Sequence, residues 1–291
     1  MILGKILAKN LLDQGINSIY YNANKRPFLQ KIAVDILLKD LGIVKGDFYG
    51  FLADEECGIK ILKGKGKEKS NFSLAKNGKD ILDNFPKTPL FIIDMGFWDK
   101  HSEKEKKKLI LQLLLSISTI RKHLWDYNIS VEHPPPNLHE KLGIQNKIRY
   151  KASPIGKTIV LNPYGDVVAD ESIIRNTDTF IIGGILDNTG WKNATTELSE
   201  KFHYNYPQVR IELKGSRVGV PDRINKIVNI ILDVIEGKSL EDSIIENQSN
   251  ADKYLRLLRD GESNLEEGAR WLKANEKVIK MAKKVFQSNS A

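Results

Sequence analysis

Asp178-Thr179-Phe180-Ile181-Ile182-Gly183-Gly184-Ile185-Leu186-Asp187 is the stretch whose reading decides the fold. Its apolar run predicts a buried parallel strand. The stop at Gly-Gly lets bare backbone groups approach a ligand and delivers Asp187 to the same rim. The same letters also serve an ordinary strand-to-loop turn followed by a solvated acid, so alone they leave both readings open.

Two more apolar segments end the same way. Thr158-Ile159-Val160-Leu161 runs into Asn162-Pro163-Tyr164-Gly165-Asp166, and Val209-Arg210-Ile211-Glu212-Leu213 runs into Lys214-Gly215-Ser216-Arg217-Val218-Gly219-Val220-Pro221. Ligands of open α/β sheets settle outside the carboxyl ends of the strands, so three such loops predict one shared pocket. Upstream, Leu90-Phe91-Ile92-Ile93 reads as another buried strand, followed by a helix from about Ser102 to Tyr127 with Ser102 and Glu105 as its capping box. Ile129-Ser130-Val131 reads as a strand, Leu138–Leu142 as a short helix, and further helices are expected near Trp191–Phe202 and Pro221–Ile235. Strands alternating with helices predict an α/β unit with a parallel sheet.

The flanks differ. Residues 1–87 predict a small α+β domain with helices over Leu3–Leu12 and Pro27–Leu41, strands over Asp47–Leu52 and Gly58–Leu62, and then a Gly-punctuated basic loop ending at Lys69. Residues 88–236 form the α/β unit. Residues 237–291 predict a helical region with helices at Leu240–Asn247, Ala251–Asp260 and Asn264–Phe286. The near-helical spacing of Lys273, Lys277, Lys280, Lys283 and Lys284 suits a solvated amphipathic face or a nucleic-acid contact.

Composition narrows the classes. The chain has 291 residues with 41% hydrophobic and 28% charged, and no apolar run nears the ~20 residues of a membrane span. Its start lacks an apolar leader with a cleavage site, so no signal peptide and a cytoplasmic location are expected. The single Cys57 excludes an internal disulfide. His101, His123, His133, His139 and His203 show no ligand spacing, so no metal is expected and they read as surface or packing residues. The net charge of +8 points to a polyanionic partner, and the excess lies in residues 1–87, which hold 15 Lys and Arg against 10 Asp and Glu. Its densest run, Lys60 to Lys69, is either a solvated hairpin tip or a phosphate contact. No Gly-Lys-Ser/Thr follows Gly215-Ser216-Arg217-Val218-Gly219 and no Gly-x-Gly-x-x-Gly opens a helix, which argues against a triphosphatase and a dinucleotide-dependent oxidoreductase.

Ile92-Ile93-Asp94-Met95, Val160-Leu161-Asn162-Pro163, Ile182-Gly183-Gly184-Ile185-Leu186-Asp187 and Gly215-Ser216-Arg217-Val218 together resemble the tRNA purine-9 N1-methyltransferases of the SPOUT superfamily, in their archaeal branch. The resemblance covers roughly residues 88–236. It implies a parallel sheet with a trefoil knot at its carboxyl end, binding of S-adenosylmethionine, tRNA as the partner, and a monomer. It also implies that Leu161, Ile185, Val218 and Val220 wall the adenine, that Gly183, Gly184 and Gly215 permit close approach, and that Asn162 and Ser216 complete the cofactor site.

Under the same resemblance Asp187 is the catalytic residue: a general base toward guanine N1, which must lose a proton, or an orienting group toward adenine N1, which carries a free lone pair. Eukaryotic members carry Thr and an acid after the Leu of the first loop and Thr-Thr-Thr-His after the third. Here the residues are Asn162-Pro163-Tyr164-Gly165-Asp166 and Val218-Gly219-Val220-Pro221-Asp222, a departure that favours adenine. Turning position 9 out of its stack needs binding energy elsewhere, for which Lys25, Arg26, Lys60, Lys63, Lys65, Lys67, Arg121 and Lys122 are the candidates. Trp125 reads as core, and Trp98 and Trp191 are open between core and stacking roles. The rival from another class is a non-catalytic RNA-binding protein that retains this core for shape recognition.

Overall fold

The computed structural model describes residues 1–186 and 193–289. In chain order its elements are α1 (Ile2–Asp13), β1 (Ser18–Tyr20), α2 (Phe28–Lys39), β2 (Gly42–Glu56), β3 (Ile59–Ala75), β4 (Leu90–Asp94), α3 (Glu103–Ile120), β5 (Ile129–Glu132), α4 (Leu138–Leu142), β6 (Arg149–Tyr150), β7 (Thr158–Leu161), β8 (Val167–Val168), α5 (Glu171–Arg175), β9 (Thr179–Gly183), α6 (Ala194–Lys201), β10 (Gln208–Arg210), α7 (Ile224–Ile235), α8 (Leu240–Asn247), α9 (Asn250–Asp260), α10 (Leu265–Trp271) and α11 (Glu276–Asn289). The strands form a three-stranded sheet in the order β1-β3-β2 and a seven-stranded sheet in the order β6-β5-β4-β9-β7-β10-β8. The pairs β5–β6, β9–β7, β7–β10 and β10–β8 are parallel. The architecture is mixed α/β, and no helix among the described residues is long and apolar enough to cross a membrane.

The chain divides into two compact units, Met1–Phe91 with Ile117–Ser153, and Ile92–Ser116 with Pro154–Ala291. In the first, α1 buries Leu3, Leu7 and Leu11, and α2 buries Leu29, Ile32, Ala33 and Ile36, the spacing of a single helix face. They share one core with Ile19, Ile59, Ile61 and Trp125. The Glu56 carboxylate accepts hydrogen bonds from the Phe28 and Leu29 amides at 2.7 and 2.9 Å, satisfying two N–H groups that a helix start leaves open. Helix α2 stops at Asp40 in the left-handed region (φ 52°), short of the expected Leu41, because Gly42 already opens β2.

The basic run differs from its expected form. Lys60 to Lys69 lie inside β3, which spans 17 residues against the 15 of β2. The alternation of Lys63, Lys65, Lys67 and Lys69 is the period of a strand, a signal that the intervening glycines disguised as a loop. The pairing does slip there, with Gly50 opposite Glu68 and Phe51 opposite Lys63, so Gly64 to Lys67 bulge from the ladder. The bulge is held in place: Tyr20 Oη donates to the Gly64 carbonyl at 3.1 Å and the Gly64 amide donates to Asn22 Oδ1 at 2.8 Å. In the carboxyl region, the helix expected over Asn264–Phe286 breaks between α10 and α11, where Lys273 takes φ 51°.

In the second unit β7 and β9 are apolar and almost wholly buried, as parallel strands covered on both faces should be. Helix α7 turns Ile224, Val228, Ile231 and Leu232 inward. Its first amide, on Ile224, donates to Gln112 Oε1 at 2.9 Å. The Ser102–Glu105 capping box forms at the start of α3, with the Ser102 amide on Glu105 Oε2 at 2.9 Å. That helix ends at Ile120, short of the expected Tyr127, so Arg121 and Lys122 follow it and are not on it.

Candidate functional site

Strand pairing brings the three glycine-bearing loops together. Leu161 at the end of β7 faces Ile182 of β9 on one side and Val209 of β10 on the other, all running parallel. The loops after β7, β9 and β10 therefore leave the same edge of the sheet, with the β7 loop central. Strand β10 stops at Arg210, shorter than the predicted Val209–Leu213. Arg210 pairs with Glu212 at 2.7 Å and donates to the Gly165 and Asp166 carbonyls, which ties β10 to the first loop.

Several polar side chains on these loops are engaged with protein. In the first loop, Asn162 is 3% exposed; its Oδ1 accepts from the Tyr164 amide, and its Nδ2 donates to Thr196 Oγ1 at 2.9 Å and Gln208 Oε1 at 3.2 Å. In the second, the Gly184 amide donates to the Asp94 carbonyl at 2.6 Å. A Cβ at Gly184 would stand 2.9 Å from that same oxygen and 3.1 Å from Met95 Cγ, so the approach of β4 itself requires glycine there. In the third loop, Leu213 and Ser216 exchange both backbone hydrogen bonds, which makes Lys214 (φ 46°) and Gly215 (φ 70°) a tight two-residue turn. Nothing lies within 4 Å of a Cβ built on Gly215, so its glycine answers to backbone conformation. Ser216 Oγ accepts from the Val218 amide. Arg217 then reaches back to the first loop, donating to the Pro163 carbonyl at 2.9 Å with its guanidinium 4.0 Å from the Tyr164 ring centroid. The apolar side chains that these loops leave in reach of solvent are Val218, 39% exposed, and the half-buried Ile185 and Val220, beside the exposed charges of Asp166, Lys214 and Arg217.

The carboxyl helices hold the third loop, a role the sequence reading missed. Arg256 of α9 is buried and donates to the Leu213 carbonyl, while Gln248 Nε2 donates to the Gly219 carbonyl at 2.8 Å. Arg256 also pairs with Asp260 at 2.7 Å, one helical turn on. Burial pushes the Asp260 carboxyl up, but hydrogen bonds from Arg256 and Arg259 outweigh it and leave its pKa below the ordinary value. The available signal was an Arg four residues before an Asp on a helix whose neighbours are apolar. It does not distinguish a buried strut from a surface pair.

Among the proposed RNA contacts the structure separates two groups. Lys25, Lys60, Lys65, Lys67 and Lys122 are exposed, with no ion-pair partner among the described residues. Lys63 lies with Nζ 4.9 Å from the Phe28 ring centroid. Arg26 is already paired with Asp54 at 3.1 Å. Arg121 grips the fully buried Asp126 with two bonds of 2.6 and 2.7 Å and adds the Gln145 carbonyl, so its charge is neutralised inside the first unit. Asp187 and Trp191 lie outside the described residues. Among the described residues no group of three or more His, Cys, Asp or Glu could hold a metal ion.

Comparison with known proteins decides the family. Over 295 aligned residues the chain is 41% identical to the tRNA (adenine(9)-N1)-methyltransferase of Sulfolobus acidocaldarius, covering 99% of this chain and 100% of that one. The chain belongs to the tRNA (adenine(9)-N1)-methyltransferase family. Family models agree at both ends, the N-terminal domain of that family matching residues 1–75 and its C-terminal domain residues 249–285. A tRNA (guanine(9)-/adenine(9)-N1)-methyltransferase of Thermococcus kodakarensis is 33% identical over 62% of this chain and 53% of its own length. The crystal structure of Sulfolobus acidocaldarius Trm10 in complex with S-adenosylhomocysteine superposes with a TM-score of 0.83 at 38% identity, covering 98% of this chain and 99% of that one. The residues matched by the C-terminal domain of the methyltransferase family include Arg256 and Asp260, the pair that braces the third loop.

Proposed function

We propose that this chain transfers a methyl group from S-adenosylmethionine to N1 of the purine at position 9 of tRNA, with adenine the preferred base and guanine the second. The observation that carries the reading is the identity, along nearly its full length, with an enzyme named for that reaction on adenine. The residues on the three loops suit the cofactor. Leu161, Ile185, Val218 and Val220 would wall the adenine, and because the Asn162 and Ser216 side chains already have protein partners, their contribution would be backbone groups of the cradle. Gly183 and Gly215 would keep that backbone accessible, whereas Gly184, expected to do the same, is buried with its amide on the Asp94 carbonyl and serves the approach of β4. Bound S-adenosylmethionine would supply an already activated methyl, so the loops have to orient and exclude water, which in favourable cases lowers a barrier by about 7–11 kcal/mol.

Asp187 follows directly on this cradle. Toward adenine, whose N1 lone pair is free, it would orient the exocyclic amine or balance the charge left by methylation; toward guanine it would take the N1 proton. Lys25, Lys60, Lys63, Lys65, Lys67 and Lys122 would contact phosphates, with Arg26 and Arg121 the weaker members because their charges already have partners. We assign the loops to a SPOUT-type core with a carboxyl-terminal trefoil knot. The assigned layout has an RNA-binding domain at 1–87, the methyltransferase domain at 88–236 and a helical region at 237–291, acting as a cytoplasmic monomer. Calorimetric titration with S-adenosylmethionine tests the cofactor half: binding is expected, and Val218→Asp should abolish it. No binding by the intact chain would leave the non-catalytic RNA-binding reading.

A further inference from the structure

His101 precedes α3 and is 5% exposed. Its Nδ1 lies 2.9 Å from the Phe97 carbonyl oxygen and its Nε2 3.0 Å from the Leu186 backbone nitrogen. A carbonyl can only accept, so Nδ1 must carry hydrogen. An amide N–H can only donate, so Nε2 must present its lone pair. The two contacts together admit one state of the ring, the neutral tautomer protonated at Nδ1.

Leu186 is the residue before Asp187. Between Gly184 and Leu186 the backbone is held at alternate amides, first by the Asp94 carbonyl at 2.6 Å and then by the imidazole. The ring's other contact, to Phe97, and the Ser102–Glu105 capping box next to it fix where the imidazole stands. His101 thereby ties the start of α3 to the Leu186 backbone.

We propose that neutral His101 is a positioning residue for methyl transfer, fixing the Leu186 backbone, the last residue before Asp187 in the sequence; this rests on the functional reading above. The imidazole acts through Leu186 and is not required to touch cofactor or RNA. A displacement of about an ångström at a reacting group costs on the order of a hundredfold in rate, so removing one anchor here should be visible in kcat.

The test compares the intact chain with His101→Ala and His101→Gln, the second of which retains a side-chain acceptor. Three readouts are taken: the 15N–1H resonance of the Leu186 amide, tRNA affinity by filter binding, and the single-turnover methylation rate at saturating tRNA. The Ala variant should move the Leu186 resonance out of its hydrogen-bonded position and slow turnover by about tenfold or more, with tRNA affinity unchanged. Gln should recover the rate to within about threefold. A folded Ala variant with an unmoved amide and unchanged rate overturns the proposal, as does a Gln variant no better than Ala. Should Ala not fold, His101→Asn, whose acceptor falls short by one methylene, takes its place with the same expected losses. The amide readout needs no catalysis, so an intact chain that fails to methylate tRNA defeats the functional reading separately.

Discussion

The bulge of the amino-terminal ribbon and the loops after β7, β9 and β10 are both rich in glycine, yet they use their polar side chains differently. On the ribbon, Lys65 and Lys67 stand exposed with no ion-pair partner among the described residues, while hydrogen bonds from Tyr20 and to Asn22 hold the backbone beneath them. On the loops Asn162 is buried on Thr196 and Gln208, Arg217 lies back on the Pro163 carbonyl, and Arg256 of α9 holds the third loop from below. A polyanion is met by charge that water still reaches; an adenosine is met by a dry, pre-shaped edge. Substitutions should therefore act on fold and cofactor in one region, and on salt-dependent RNA affinity in the other.

The sharpest way to break that contrast is Arg256→Ala. Removing a buried guanidinium that pairs with Asp260 should cost about 3 kcal/mol, less than the loss of an isolated buried pair because Arg259 still faces Asp260. Chemical denaturation reads this, and calorimetry should show S-adenosylhomocysteine affinity falling with it. Gly184→Ala comes next. Its Cβ would press on the Asp94 carbonyl, an overpacking cost of about 1–3 kcal/mol. Gly215→Ala, with open space but φ 70°, should cost only about 1 kcal/mol. Equal effects at the two glycines would mean that packing and conformation had been wrongly assigned.

On the ribbon, replacing Lys63, Lys65 and Lys67 together by Gln should leave cofactor affinity alone and flatten the salt dependence of tRNA binding, by about one unit of log–log slope for each phosphate that is no longer neutralised. A fall in affinity with no change of slope would sink the phosphate assignment. The smallest expected effect concerns acid. Since the Asp260 pKa is lowered in the fold, its contribution is complete above the ordinary carboxylate value and fades as pH drops through the lowered one. Asp260→Asn should remove that part of the acid sensitivity, as read from denaturation midpoints across the acidic range.

The sequence was legible where a local pattern had a single physical meaning. The apolar runs at Leu90, Thr158 and Thr179 became β4, β7 and β9, and the Ser102–Glu105 box opened α3. It was less legible where one pattern had two. Lys-Gly alternation suits a loop and a strand, and the long ladder to β2 decided for the strand. A continuous helical pattern from Asn264 to Phe286 hid the turn at Lys273. At the site, the glycine loops could be read from their letters, but the engagement of Arg121 by Asp126, of Asn162 by Thr196 and of His101 by Leu186 depends on partners distant in sequence or direction. His101, which the sequence left between a surface and a packing role, is buried, and its contact with the Leu186 amide has no signal in the letters.

The most direct test of the central claim is to incubate the purified chain with tRNA transcripts carrying either A or G at position 9 and methyl-labelled S-adenosylmethionine, and to locate the label by nuclease digestion and mass spectrometry. The account predicts N1-methyladenosine at position 9, with the G9 transcript labelled more slowly or not at all. A chain that binds cofactor and tRNA yet leaves position 9 of both transcripts unmodified would contradict it.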